Sequence, residues 1–230
     1  MIKAVLFDLY ETLITESHLA PTRASSLAHA LGLERQAYRA EWQARRPRIV
    51  VGELSFADAL TEVSRMLVGS VDAAVVQQIC EQRAREKAAA FAHPDHQVMT
   101  LITGLGRRGV GLGVVSNGFR EDVLPWSDCS LAPLFQCTAF SCEEGVAKPD
   151  PEIYLRAMHR LRGQPETTVY VGDGGDNELT GAEKAGLRAF RAAWFVRSSS
   201  QGSSWPALTT CGDVLKLVTT GELPIGADGG

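Results

Sequence analysis

The 230 residues of the chain are about as many as one compact domain usually holds, and 45% hydrophobic against 22% charged residues excludes a mainly disordered polymer. No apolar run approaches the ~20 residues of a membrane span, and Met1-Ile2-Lys3 leads straight into a strand-like run with no cleavable signal pattern. A net charge of −4 and a pI of about 5.8 argue against nucleic acid or an anionic membrane as the main partner.

The run from Ile2 to Phe7 is short, apolar and rich in β-branched and aromatic residues, which predicts a buried strand ending at Asp8. From about Ser17 to His93 the pattern changes to long amphipathic helices. Phe56, Leu60, Val63 and Leu67 share one helical face. Val71 to Phe91 predicts a second long helix, with Glu81 and Arg85 spaced for an i, i+4 pair.

Beyond His93-Pro94, strands and helices alternate. A helix over about 95–108 precedes a strand over 110–115, and another strand lies near 138–140. Asp150-Pro151 opens a helix with an N-cap acid and proline at its first position, burying Ile153, Ala157 and Leu161. A strand over 168–171 follows, then a helix lined by Leu179, Ala182 and Ala185 that stops at Gly186, a strand over 187–190 and a closing helix over 208–218. Such alternation implies an α/β core with a mainly parallel sheet and helices on both faces. The expected organisation is a core of 1–16 and 94–230 with an inserted all-helical domain of 17–93, and a mobile glycine-rich tail from Gly221 to Gly230. The insert carries net +2 and the remainder net −6, a balance suited to a small anionic substrate held with a cation.

In a parallel sheet, ligands bind outside the carboxyl ends of the strands. Four polar clusters fall there: Asp8-Leu9-Tyr10-Glu11-Thr12, Ser116-Asn117-Gly118, Lys148-Pro149-Asp150, and Gly172-Asp173-Gly174-Gly175-Asp176-Asn177-Glu178. Any one alone is adequately explained as a turn or cap. Together and in this order they resemble the four motifs of the haloacid dehalogenase superfamily, over the chain up to about Phe195, with the helical insert in the position of that family's cap.

The resemblance implies a Rossmann-like catalytic core and a hydrolase working through a covalent aspartyl intermediate. Asp8 matches the nucleophile, followed by Tyr10 and Thr12 in the same motif. Ser116 matches the hydroxyl that binds oxygens of the transferring group, with Asn117 and Gly118 shaping the pocket, and Lys148 matches the charge-neutralising lysine. Asp173 matches the principal ligand of magnesium, joined by Asp8, the backbone carbonyl of Tyr10 and Glu178, an oxygen set that suits a hard cation. Asp176 reads as a cap of the helix that follows. From the insert, Arg45 and Arg46 are candidates to clamp a substrate anion, and Tyr154 stands where one branch of the family often has an aromatic residue.

The chain departs from the family's phosphatases at Tyr10, where they carry a second aspartate as general acid and base. A tyrosine there resembles the 2-haloacid dehalogenases, which use no metal, whereas Asp173 fits a metal site. Beside Asp8 and without a cation, Asp173 would form an unfavourable like-charge pair. Glu11 is a weak substitute acid, because the adjacent side chain at a strand end usually points elsewhere. The leading expectation is therefore a magnesium-dependent phosphatase of a small phosphorylated metabolite. The alternatives are a metal-independent haloacid dehalogenase and a ligand-binding protein without turnover.

Other signals are set aside. Gly104-Leu105-Gly106-Arg107-Arg108-Gly109 spells a dinucleotide fingerprint, yet it follows a predicted helix and precedes a strand, the reverse of what phosphate binding needs. His93 and His96 read as an exposed hinge turn rather than a metal site. Trp42 reads most simply as packing within the insert. Five cysteines without metal spacing fit free thiols in a reducing cytoplasm. The residues leave the substrate and the oligomeric state open.

Overall fold

Alternation along the opening strand sets the layers of the fold. In the computed structural model, which describes residues 1–16, 24–195 and 205–222, β1 (Ala4–Phe7) is buried on both faces. Val5 and Phe7 point into one apolar cluster and Leu6 into another, as the two-residue period of a strand requires. Each such side chain, fully removed from water, contributes about 1.5–3 kcal/mol. The first cluster is completed by α5 (His96–Gly106) and α10 (Cys211–Thr220), the second by α8 (Pro151–Arg160) and α9 (Glu178–Lys184). Helices thus cover both faces of the sheet.

The sheet has six parallel strands in the order β3-β2-β1-β4-β5-β6, with β2 (Gly111–Ser116), β3 (Cys137–Phe140), β4 (Thr168–Gly172), β5 (Arg188–Ala192) and β6 (Ala207–Leu208). Phe7 lies opposite Val114 on one side and Val171 on the other. This register brings Asp8, Ser116 and Asp173 to one edge of the sheet. The chain turns from β1 to β2 and β3 on one flank and to β4 on the other, so Asp8 stands at the switch point of the topology, where crevices form in open α/β sheets.

Among the described residues, four helices lie between β1 and α5: α1 (Ala24–Ala30), α2 (Arg35–Val50), α3 (Phe56–Val68) and α4 (Ala73–Ala92). They share their own apolar cluster, in which Tyr38, Phe56, Leu60, Val63 and Ile79 pack with Trp42. Phe119, between β2 and the short helix α6 (Arg120–Val123), joins this cluster and stacks on Phe56 at 6.2 Å. The tight turn after α2 needs Gly52, with φ 78°, because a Cβ there would lie 2.2 Å from the Cys142 carbonyl oxygen of the short helix α7 (Ser141–Glu144). The Ser141 hydroxyl fastens the same seam by donating to the Val50 carbonyl at 2.7 Å.

Most expected elements occur within a residue or two of their expected limits. Asp150 accepts from the Glu152 N–H at 2.9 Å as the N-cap of α8, with Pro151 at its first position, and Glu81 and Arg85 pair at 3.9 Å. Two expectations are corrected. The closing helix begins at Cys211 rather than 208, because Ala207 and Leu208 pair with β5 as a short edge strand and Thr210 closes a capping box with Asp213. Asp176 does not cap α9; Asn177 occupies that position, and the Asp176 carboxylate is held elsewhere. The expected start of the insert at Ser17 and most of the glycine-rich tail lie outside the described residues. Among the described residues no helix is long and apolar enough to cross a membrane.

Candidate active site

The carboxyl ends of β1, β2 and β4 and the loop before α8 enclose a cavity of about 210 Å³. Asp8, Tyr10, Ser116, Asn117, Lys148, Asp173 and Glu178 all line it. Lys148 is its centre. The ammonium group is buried and donates to Asp8 Oδ1, to Glu178 Oε2 and, at 3.2 Å, to the Tyr170 hydroxyl. Tyr170 in turn donates to Glu178 Oε2 at 2.6 Å. Burial lowers the lysine's pKa, but Asp8 and Glu178 outweigh that and hold it well above the ordinary value.

The lysine is positioned by its backbone. Asn117 accepts from the Lys148 N–H at 2.8 Å and donates to the Lys148 carbonyl at 2.9 Å. One asparagine thereby locks the loop leading to α8 onto the end of β2. Glu178, at the first turn of α9, is held by the Gly174 N–H at 2.9 Å, and Tyr154 donates to the Glu178 carbonyl at 2.8 Å. Gly172 is required beneath it, since a Cβ there would lie 2.1 Å from Glu178 Oε1.

Oxygen atoms of Asp8, Asp173 and Glu178 lie within 4.8 Å of one another. Burial above all, and then the neighbouring Glu178 carboxylate, push Asp8 up to about 8, with Lys148 pulling the other way. Burial also raises Asp173. Three clustered carboxylates against one ammonium leave an excess of negative charge, and all the donors are hard oxygens. The donor set therefore fits a divalent cation of the magnesium type. Ser116 supplies a different signal: its hydroxyl is buried at the cavity wall with no hydrogen-bond partner. A buried polar atom left unpaired is costly, and this one belongs to a residue that lines the cavity.

The remaining expected site residues fall into two groups. Arg46, on α2, reaches across the cavity mouth to Asp176, with Nη2 at 2.8 and 3.1 Å from its two carboxylate oxygens. Against the burial that raises it, the Arg46 and Asn117 hydrogen bonds hold Asp176 below the usual carboxylate range. Arg45, Thr12, Gly118 and Tyr154 do not line the cavity. Arg45 points along the insert to Glu41 and Glu62. Thr12 is buried and presents its carbonyl to Trp194 Nε1 at 2.9 Å. The Gly118 N–H donates to Ser141 Oγ at 3.2 Å, and Tyr154 is buried beneath α9.

Tyr10 lines the cavity, but its hydroxyl donates to the Asp122 carbonyl at 2.8 Å. The ring packs edge-on against Phe91 of α4 and lies under the Lys87 ammonium at 4.2 Å. Lys87 pairs with Glu16, and Arg83 grips Asp122 through two hydrogen bonds of 2.6 and 2.7 Å. Burial keeps the Tyr10 phenol protonated, well above its ordinary pKa. Glu11 is likewise occupied, accepting from Thr15 Oγ1 and the Glu16 N–H, both at 2.8 Å. The seam formed by Arg83, Lys87, Glu16 and Asp122 left no signal in the linear pattern, and neither did Tyr170, which sits in an apolar strand.

Comparison with known proteins places these features in context. A family model described as haloacid dehalogenase-like hydrolase matches residues 2–186. A glyceraldehyde 3-phosphate phosphatase of Methanopyrus kandleri is 30% identical over 203 residues, covering 83% of this chain and 84% of that protein. A phosphoserine phosphatase of Thermus thermophilus is 32% identical over 120 residues, covering 47% of this chain and 46% of that one. Among solved structures, a HAD phosphatase from Thermococcus onnurineus superposes with a TM-score of 0.64 at 20% identity, over 95% of this chain and 98% of that one. The L-2-haloacid dehalogenase of Xanthobacter autotrophicus, with chloropropionic acid covalently bound, superposes with a TM-score of 0.61 at 18% identity, over the same shares. At these identities the structural likeness is one of fold, and it does not separate the two chemistries.

Proposed function

The chain belongs to the haloacid dehalogenase-like hydrolases, and from that premise we propose that it is a magnesium-dependent phosphatase of a small phosphorylated metabolite. The observation that carries the subclass is Asp173, which joins Asp8 and Glu178 in one oxygen-rich cluster. In this reading 1–16 and 94–230 form the catalytic core and 17–93 the helical cap.

Asp8 is the nucleophile. Its carboxylate attacks phosphorus and forms an aspartyl phosphate, which water then hydrolyses. Lys148 holds the Asp8 oxygen in place and neutralises charge that gathers on the transferring group. Ser116 donates its free hydroxyl to a phosphoryl oxygen, and Asn117 keeps both Ser116 and Lys148 on a rigid support. Asp8, Asp173, Glu178 and the Tyr10 carbonyl would hold magnesium, which supplies Lewis-acid stabilisation of phosphoryl oxygens when bound. At the cavity mouth, Arg46 binds the rest of the substrate anion.

Tyr10 favours a second reading, a 2-haloacid dehalogenase, because a departing halide needs no proton. One panel separates them: phosphate esters and short 2-haloacids, with and without magnesium, with Asp8→Asn as the blank. We expect phosphate release that needs magnesium and Asp8. Activity unchanged in excess chelator would refute the phosphatase reading, and halide release would establish the dehalogenase. Tight ester binding without turnover of any substrate would leave a ligand-binding protein.

A further inference from the structure

Resting on the phosphatase reading, we infer that the substrate carries its phosphoryl group on a weakly basic oxygen, as in an acyl phosphate or phosphoanhydride, and not on an alkyl alcohol. Around the cavity, the described side chains outside the Asp8, Asp173, Glu178 and Lys148 cluster that bear an acidic or hydroxyl group are Tyr10, Glu11, Ser116 and Asp176. Each is committed or unsuited. The single hydrogen of the Tyr10 hydroxyl goes to the Asp122 carbonyl at 2.8 Å, and its ring is clamped between Phe91 and Lys87. Both Glu11 oxygens accept hydrogen bonds, from Thr15 and Glu16. Both Asp176 oxygens accept from Arg46, and one also accepts from Asn117 at 3.0 Å. Ser116 can donate a hydrogen bond but is far too weak an acid to surrender its proton.

Among the described residues around the cavity, no side chain outside the cluster of Asp8, Asp173, Glu178 and Lys148 is thereby left to protonate a departing alkoxide. Loss of such a general acid costs about 10²–10⁴ in rate, but only where the leaving oxygen needs the proton. A carboxylate or a phosphate anion does not. In the first step the bond from Asp8 to phosphorus forms while the bond from phosphorus to the leaving oxygen breaks, and that oxygen departs with the electron pair as an anion. In the second, a water oxygen bonds to phosphorus, the electron pair of the Asp8–phosphorus bond returns to the carboxylate, and a water proton passes to solvent. The sequence balances without a protein acid.

The test uses the full chain with magnesium. The value of kcat/KM is measured for aryl phosphates whose phenols span about three pK units, for acetyl phosphate and pyrophosphate, and for the alkyl ester glycerol 3-phosphate. We expect kcat/KM to fall steeply as the leaving oxygen becomes more basic. Acetyl phosphate or pyrophosphate should exceed glycerol 3-phosphate by at least about 10²-fold, and Tyr10→Asp should narrow that gap by speeding the alkyl ester. A flat aryl series with glycerol 3-phosphate within about tenfold of the best substrate overturns the inference while leaving the phosphatase reading intact. No Asp8-dependent phosphate release from any compound overturns both. The series on the unaltered chain decides the matter whether or not the Tyr10 variant folds.

Discussion

Arg46 and Asp176, 130 positions apart in the chain, meet across the mouth of the cavity through two hydrogen bonds of 2.8 and 3.1 Å. Both side chains are more than a third exposed, which makes the pair worth under about 1 kcal/mol to folding. Its value lies in where it holds the guanidinium. Arg46→Ala is expected to leave the melting temperature within about 2 °C while lowering kcat/KM by about 10–100-fold, the worth of one charge-assisted hydrogen bond to an anion. Steady-state kinetics beside a thermal melt measures both, and unchanged kcat/KM would remove Arg46 from substrate binding.

Lys148 is the only cation among the described residues in contact with Asp8 and Glu178. Lys148→Met leaves two buried carboxylates without their partner, and breaking a buried pair in this way costs about 3–5 kcal/mol. Magnesium should then restore more stability to the variant than it adds to the parent, because the acids freed of the ammonium bind the cation more tightly, and a ligand bound only by the folded state stabilises it more the tighter it binds. Urea melts with and without the ion test this. Equal magnesium effects in both proteins would mean that the three acids do not form the metal site.

Gly172 connects the end of β4 to the same cluster. The Cβ of an alanine would lie 2.1 Å from Glu178 Oε1 and 2.9 Å from Tyr170 Cε1, and both neighbours are buried. Gly172→Ala is expected to cost about 1–3 kcal/mol as overpacking and to weaken magnesium binding about 10–100-fold by displacing Glu178. Calorimetric titration of the folded variant reads the second effect directly.

Acid sensitivity should appear at Glu144. Burial raises this carboxyl, but Arg160, at 2.6 Å, and Arg156 outweigh it and hold its pKa below the usual 4.5. A carboxylate depressed in the folded state stabilises the fold above its unfolded pKa and loses that contribution as pH falls through the folded value. The stability gap between the parent and Glu144→Gln should therefore be present at neutral pH and close on acidification below about pH 4.5. Because both arginines are about two-fifths exposed, the gap should also shrink in high salt. Denaturant melts across this range provide the measurement.

The sheet and the cluster around Asp8 were legible in the sequence because their signals are local. A four-residue apolar strand, an Asp-Pro helix start and polar residues at strand ends each leave a mark within a few positions. The expected residues Asp8, Ser116, Asn117, Lys148, Asp173 and Glu178 do line one cavity. Features that join distant segments were not legible. Arg83 meets Asp122 39 positions away and Lys87 meets Glu16 at 71, and nothing in either neighbourhood announces the other. Tyr154 misled for a related reason. An aromatic residue on α8 fits a pocket or a core equally well, and only the packing of α9 above it decides for the core.

The place of β1 has a consequence for how the polypeptide is made. β1 lies in the middle of the sheet and is synthesised before either of its partners, Gly111–Val114 and Thr168–Val171. A nascent chain emerging from the ribosome must therefore carry an unpaired, wholly apolar β-segment while more than a hundred residues are added. Contacts so distant in sequence slow folding and prolong the exposure of sticky surface. Helices α1 to α4, which lie between β1 and α5, can bury their own apolar cluster during this interval, so part of the protein can gain structure before β1 finds either neighbour.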